Sequence, residues 1–153
     1  MGSNVANPAD VSAFLQCRVY HSVDQVIANA TSTFLAFNSE LFDNDSMHSA
    51  GSNTRITFNT AGLYLVSTTE LWGASALGRR LSRIVLNGVT IIGGYSAGNA
   101  GAADNASSGV TVIYRMAVAD YVQVSVNQDS GGNLTVFASA NESPEFMAVR
   151  LGP

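Results

Sequence analysis

The sequence contains no lysine, and charged residues make up only 12% of its 153 residues. Its seven cationic side chains are all arginine, and the formal net charge is -4. A chain with so little positive charge has no basic field to attract nucleic acid or anionic membranes, so we expect neither as a partner. Such a surface stays in solution through Ser, Thr, Asn and Gly, or it is partly covered in an assembly. We favour the assembly.

Cysteine and long apolar runs are scarce as well. The single cysteine, Cys17, excludes an intrachain disulfide, and its strand-like surroundings predict a buried, inert thiol. No apolar run reaches the roughly 18 residues that span a bilayer, and no signal peptide pattern opens the sequence. The length predicts one domain over residues 13–153, preceded by a short polar arm over residues 1–12.

Short runs of β-branched and aromatic residues, separated by glycine-rich turns, predict an all-β fold. The pattern is clearest from Phe58 to Trp72, where a turn signal ending at Gly62 precedes a long strand with large apolar groups on both faces. Such a strand belongs in a two-sheet sandwich whose outer face also meets a partner. Asn87-Gly88 predicts a tight hairpin. We predict ten strands, near residues 14–21, 33–38, 54–58, 62–72, 80–87, 89–95, 109–118, 121–128, 134–139 and 146–151.

Groups that could carry out catalysis are few. The histidines are His21 and His48, and no nucleophile elbow, zinc-binding helix or phosphate loop accompanies them. We interpret His48 as a solvated turn residue and expect no catalytic residues and no enzyme activity. Calcium is the one cofactor that the sequence suggests, because Asp43 and Asp45 carry the hard oxygen ligands that calcium prefers. The dense aspartate spacing of a dedicated calcium loop is absent, so we expect no cofactor.

Two stretches are candidates for contacts with partners. Arg79, Arg80 and Arg83 form the densest positive cluster; they are expected either to pair with Glu70 or a neighbouring molecule's acidic groups, or to lie solvated. Residues 96–108 form a long, small-residue connection that contains Asn99 and Asp104. It fits a binding loop, a loop ordered by a neighbour, or a plain surface loop.

An ordered set of short motifs resembles the complement globular-head family, which shares the tumour-necrosis-factor-like jelly roll. The set consists of Ala61-Gly62-Leu63-Tyr64, Ile84-Val85-Leu86-Asn87-Gly88, Ala119-Asp120-Tyr121-Val122 and Phe146-Met147-Ala148-Val149-Arg150-Leu151. The sequence differs from the family pattern at Ala119 and Ala148, where glycine is usual. The residues of its motifs are more similar to those of bacterial and bacteriophage versions.

This resemblance implies a jelly-roll sandwich of ten strands that assembles as a homotrimer. Cyclic closure of three copies would bury sheet faces that a monomer leaves wet. The candidates for the trimer interface are apolar residues on such faces, with filling of the sandwich core as the alternative for each: Tyr20, Leu63, Leu65, Tyr114 and Phe146.

The combined interpretation is a non-enzymatic, trimeric structural protein of a bacteriophage virion. The sequence lacks heptads or Gly-x-y repeats that would form a fibre stalk, which favours a capsid decoration protein at the capsid surface, in contact with the major capsid protein or other virion proteins. The alternative is an extracellular or cell-surface adhesion module, or a tail fibre, that binds host glycan or protein.

Overall fold

The computed structural model describes residues 14–94, 104–139 and 143–153. These residues form β-strands and one 3-10 turn, Ala50–Ser52, and no helix among them is long and apolar enough to cross a membrane. The strands are β1 Gln16–Tyr20, β2 Gln25–Ile27, β3 Thr33–Phe34, β4 Ser39–Asp43, β5 Arg55–Thr57, β6 Gly62–Trp72, β7 Arg80–Leu86, β8 Thr90–Gly93, β9 Ala106–Met116, β10 Tyr121–Gln128, β11 Leu134–Val136 and β12 Glu145–Gly152.

The strands form two sheets, and the described strand pairs are all antiparallel. The larger sheet has seven strands in the order β2-β11-β6-β12-β1-β4, with β9 on β6. The smaller sheet has five strands in the order β3-β10-β7-β8, with β5 on β10. Neighbours in each sheet are mostly distant in sequence, as in a jelly roll, so the predicted all-β sandwich is confirmed.

Strand alternation explains where the core lies. In β6, Tyr64, Val66 and Trp72 are completely buried, while the leucines between them are half-buried. In β10, the valines at 122, 124 and 126 point inward. The inner faces of the two sheets therefore supply the core. Its aromatic pairs include Phe37 with Phe146, whose ring centroids are 5.4 Å apart, and Phe58 with Tyr64 at 4.5 Å.

The prediction of ten strands was incomplete, since the described residues contain twelve. β2 is only three residues long, too short for a periodic signal. β4 was not predicted as a strand: it carries Glu40 and Asp43, and its Leu41 and Phe42 are exposed. The strand predicted over residues 33–38 is reduced to Thr33–Phe34. Pairing with neighbouring strands, which a single sequence does not display, determines all three outcomes.

Two turn positions show why their residues matter. A Cβ atom on Gly62 would lie 2.5 Å from the carbonyl oxygen of Gly152, so only glycine fits where β6 begins beside the end of β12. Ala119 has a positive φ of 70°, the left-handed conformation that glycine adopts readily. The glycine expected from the resemblance is therefore replaced here by a strained alanine.

Candidate subunit interface

The outer face of the larger sheet carries an area rich in apolar side chains. On β6, Leu63 and Leu65 point away from the core. Leu65 lies opposite Ile113 of β9 on one side and Val149 of β12 on the other. Ile113 is 55% exposed, an unusual fraction for a large aliphatic side chain in the middle of a strand.

The next row of the same face continues toward β4. Ser67 of β6 lies opposite Met147 of β12, which lies opposite Arg18 of β1, which in turn lies opposite Phe42 of β4. Met147 is 37% and Phe42 42% exposed. We call Phe42, Leu63, Leu65, Ile113, Met147 and Val149 the apolar face.

An ion pair crosses this surface between β1 and β12. Arg18 Nη2 lies 2.6 Å from Glu145 Oε2, and Arg18 Nε lies 3.2 Å from the same oxygen. The Glu145 side chain is 11% exposed, and its Oε1 is buried without a hydrogen-bond partner among the described residues. Tyr20, directly opposite Glu145 in the strand register, is half-buried. The pair therefore places fixed charge beside an otherwise apolar surface.

The five residues predicted to lie in a trimer interface do not share one surface. Leu63, Leu65 and Tyr20 lie on the outer face of the larger sheet, as the prediction requires. Phe146 does not, because its side chain is completely buried in the core against Phe37. Tyr114 lies opposite the core residue Tyr64 and points to the inner side of β9. There it lines a cavity of about 560 Å³ at the open end of the sandwich, together with Leu86 and Met116.

The arginine cluster is also divided. Arg79 is exposed and binds Asp129, with Nη2 3.1 Å from Oδ2 and its main-chain N–H donating to Oδ1. These contacts hold the pKa of the Asp129 carboxyl below its usual value. Arg80, predicted to contact a partner, is 1% exposed and donates to the carbonyl oxygens of Ser75, Leu77 and Gly78. That prediction was wrong for Arg80, because the strand alternation of β7 turns it inward.

Glu70 does not pair with an arginine in the described part of the chain. Its carboxyl group is completely buried between the sheets and contacts hydroxyl groups instead. Its Oε1 lies 2.6 Å from Thr68 Oγ1, and its Oε2 lies 2.6 Å from Ser82 Oγ and 2.7 Å from Ser108 Oγ. The indole N–H of Trp72 donates to Ser108 Oγ at 2.8 Å. Burial raises the pKa of Glu70, although the three hydroxyl contacts act in the opposite direction.

Of the two calcium candidates, Asp43 already has protein partners. Asp43 accepts hydrogen bonds from the main-chain N–H groups of Asp45 and His48. Asp45 Oδ2 is buried and has no partner among the described residues, but no group of three or more potential metal ligands occurs within them. The Asp43 carboxylate thus shapes the turn after β4.

His48 was predicted to be solvated, and that prediction was wrong. Its side chain is 3% exposed, with Nδ1 2.8 Å from Glu40 Oε1 and Nε2 3.0 Å from the carbonyl oxygen of Phe37. Of the candidates in the long connection, Asn99 lies outside the described residues, and Asp104 is an exposed residue two positions before β9.

No family model and no curated protein matches the sequence, but solved structures match the fold. The structure of murine APRIL at pH 5.0 superimposes with a TM-score of 0.68 over 91% of this chain and 100% of that chain, at 10% identity. The globular domain of zebrafish complement 1qA protein gives 0.64 over 90% and 97%, also at 10% identity. The chain has the tumour-necrosis-factor-like and complement globular-head jelly roll. At this identity the likeness concerns the fold alone.

Proposed function

We propose that the chain is a non-enzymatic structural module that forms a homotrimer through the outer face of the larger sheet. The observation that supports this most directly is the apolar face, above all the 55% exposed Ile113 beside Leu65 and Val149. Exposed apolar areas of this kind mark interaction surfaces in soluble proteins. Domains with this fold typically form homotrimers, so we take further copies of the same chain as the occupants.

The chemistry of the face suits an interface between copies. Its centre is aliphatic, and Arg18, Glu145 and Tyr20 supply polar groups beside it. A stable obligate interface buries about 2,000 Å² or more, with apolar residues at its centre and polar residues at its rim. In the larger sheet, β4 is an edge strand on one side, and β9 lies beside β6 on the other. A cyclic trimer would also cover one of these two strands.

For the biological role we propose capsid decoration on a bacteriophage head. The support lies in the composition: few charges and many small polar residues suit a module held between neighbouring proteins. Such a trimer would stabilise the capsid by bridging its subunits. The alternative role is an adhesion module that binds host glycan or protein.

Capsids assembled without the protein provide the test. Added wild-type protein should bind them and raise the temperature at which they release their contents. Ile113→Asp should abolish both effects by preventing assembly. Val89→Asp introduces the same charge at an 85% exposed residue of the β7–β8 turn and should behave as wild type. Wild-type protein that ignores capsids but binds host cells would refute capsid decoration and support adhesion.

A further inference from the structure

The smaller sheet has an uneven distribution of charge. Its five strands contain Arg55, Arg80 and Arg83 but no aspartate or glutamate, although the chain as a whole has a net charge of -4. Arg80 points inward and is buried. Arg55 and Arg83 are half-buried and alternate with the core residues Ile56, Ser82 and Ile84, so both point outward.

The two outward arginines lie on opposite sides of β10. Arg55 is opposite Gln123, and Arg83 is opposite Ser125. The spacing of strands and residues in a sheet places their Cα atoms about 12 Å apart. Gln123 and Ser125 lie between them, and Phe34, which is 39% exposed, flanks Ser125 on the side away from Arg83. We call Phe34, Arg55, Arg83, Gln123 and Ser125 the arginine face.

Neither guanidinium has an acidic partner within the described residues. Arg83 makes no hydrogen bond or ion pair there, which leaves its five N–H groups for other molecules. Arg55 stacks on Tyr121, with its Cζ 4.8 Å from the ring centroid, and its Nε is buried without a hydrogen bond. The stacking holds the plane of Arg55 in place, while its terminal nitrogens make no hydrogen bond within the same part of the chain.

We propose that the arginine face docks an acidic protein surface, with Arg55 and Arg83 each binding a carboxylate. A planar guanidinium matches a carboxylate in a bidentate geometry, and the pairing is strongest where water is partly excluded. Phe34 supplies apolar contact beside them. Two separated arginines on an acidic chain suit discrete carboxylates better than the dense charge of a nucleic acid, which the net charge repels.

This inference rests on the proposed function in one respect. A trimer that buries the larger sheet leaves the smaller sheet facing outward, where it meets other proteins. Carboxylate binding by the arginine face does not itself depend on capsids, so the two proposals fail separately. Sedimentation of each variant shows whether it assembles before its binding is measured.

Titration calorimetry with poly-L-glutamate at low ionic strength tests the inference. Arg83→Gln and Arg55→Gln should each weaken binding about tenfold, and Arg83→Lys should weaken it about threefold because the charge remains but the bidentate geometry is lost. Arg79→Gln is the matched control: it changes the net charge equally but removes a guanidinium that already binds Asp129, so affinity should stay within about twofold.

Two results would overturn the inference. If Arg79→Gln weakens poly-L-glutamate binding as much as Arg55→Gln and Arg83→Gln do, only the net charge matters. If wild-type protein does not bind poly-L-glutamate at all, the arginine face is not a carboxylate-binding site. Tighter binding of a single-stranded DNA oligonucleotide than of poly-L-glutamate would assign the face to phosphate instead. Thermal unfolding of each variant, at the same chain concentration, separates loss of binding from loss of the fold.

Discussion

The buried carboxyl of Glu70 makes the stability of the protein depend on pH in an unusual direction. Thr68 has one hydroxyl proton but two acceptors in reach, Glu70 Oε1 at 2.6 Å and the carbonyl oxygen of Glu145 at 2.9 Å. If Glu70 is protonated on Oε1, it donates to Thr68, and Thr68 donates to Glu145. The protonated acid therefore allows both contacts of the Thr68 hydroxyl to be hydrogen bonds, whereas the carboxylate leaves one acceptor without a proton. This agrees with the raised pKa of Glu70.

The sign follows from proton linkage. Since the pKa of Glu70 is raised on folding, the native state holds a proton that the unfolded state releases above its ordinary value near 4.5. The resulting stability is complete below that pH and is lost as the pH rises toward the folded-state pKa. The slope reaches at most about 1.4 kcal/mol per pH unit for one group.

Glu70→Gln imitates the protonated acid. Its amide can donate to Thr68 while its oxygen accepts from Ser82 and Ser108, so the variant should equal or exceed wild-type stability at pH 7. Its difference from wild type should shrink toward pH 4.5. Glu70→Ala leaves the hydroxyls and a cavity behind and should cost about 2–4 kcal/mol. Urea unfolding from pH 4 to 8, at a fixed chain concentration, measures all three; parallel curves for wild type and Glu70→Gln would refute the reasoning.

Two further substitutions and one labelling experiment test the fold. Ala119→Gly should stabilise the protein by up to about 1 kcal/mol in urea unfolding, because glycine removes the left-handed strain; a loss would contradict that strain. Gly78→Ala should destabilise by about 2 kcal/mol or more in the same assay, since a Cβ would lie 2.4 Å from the main chain of Asp129 at a positive φ of 72°; an unchanged midpoint would contradict this close approach. Burial, with Asp43 and Glu40 nearby, raises the pKa of the Cys17 thiol, so iodoacetamide should label Cys17 only after unfolding; rapid labelling of native protein would place Cys17 outside the core.

The sequence predicted the sandwich better than it predicted the surfaces. β6 and β10 were predicted with their observed bounds, and Asn87-Gly88 forms the predicted hairpin with both residues at positive φ. These signals are local: alternation, β-branched residues and turn chemistry act within one strand or turn. β4 was missed because its exposed Leu41 and Phe42 carry no inward pattern and become a strand only through pairing with β1.

Side-chain direction was the main source of error at the candidate sites. Both faces of β6 are apolar, and composition alone does not say which residues of its neighbours join each face. Phe146 and Tyr114 were therefore assigned outward, although the register with β6 turns both inward. Glu70 and Arg80 have opposite charges and lie on consecutive strands, yet they do not pair. Glu70 accepts from hydroxyl groups, and Arg80 donates to main-chain carbonyl oxygens. Ile113 was missed, although its alternation with Val112 and Tyr114 was the available signal.

The molar mass of the native protein tests the central claim most directly. We expect light scattering coupled to gel filtration to give three times the chain mass of 16.0 kDa for wild type and for Val89→Asp, and the mass of a single chain for Ile113→Asp. A wild-type protein that remains a folded monomer at micromolar concentration would contradict the assignment of the apolar face as a trimer interface.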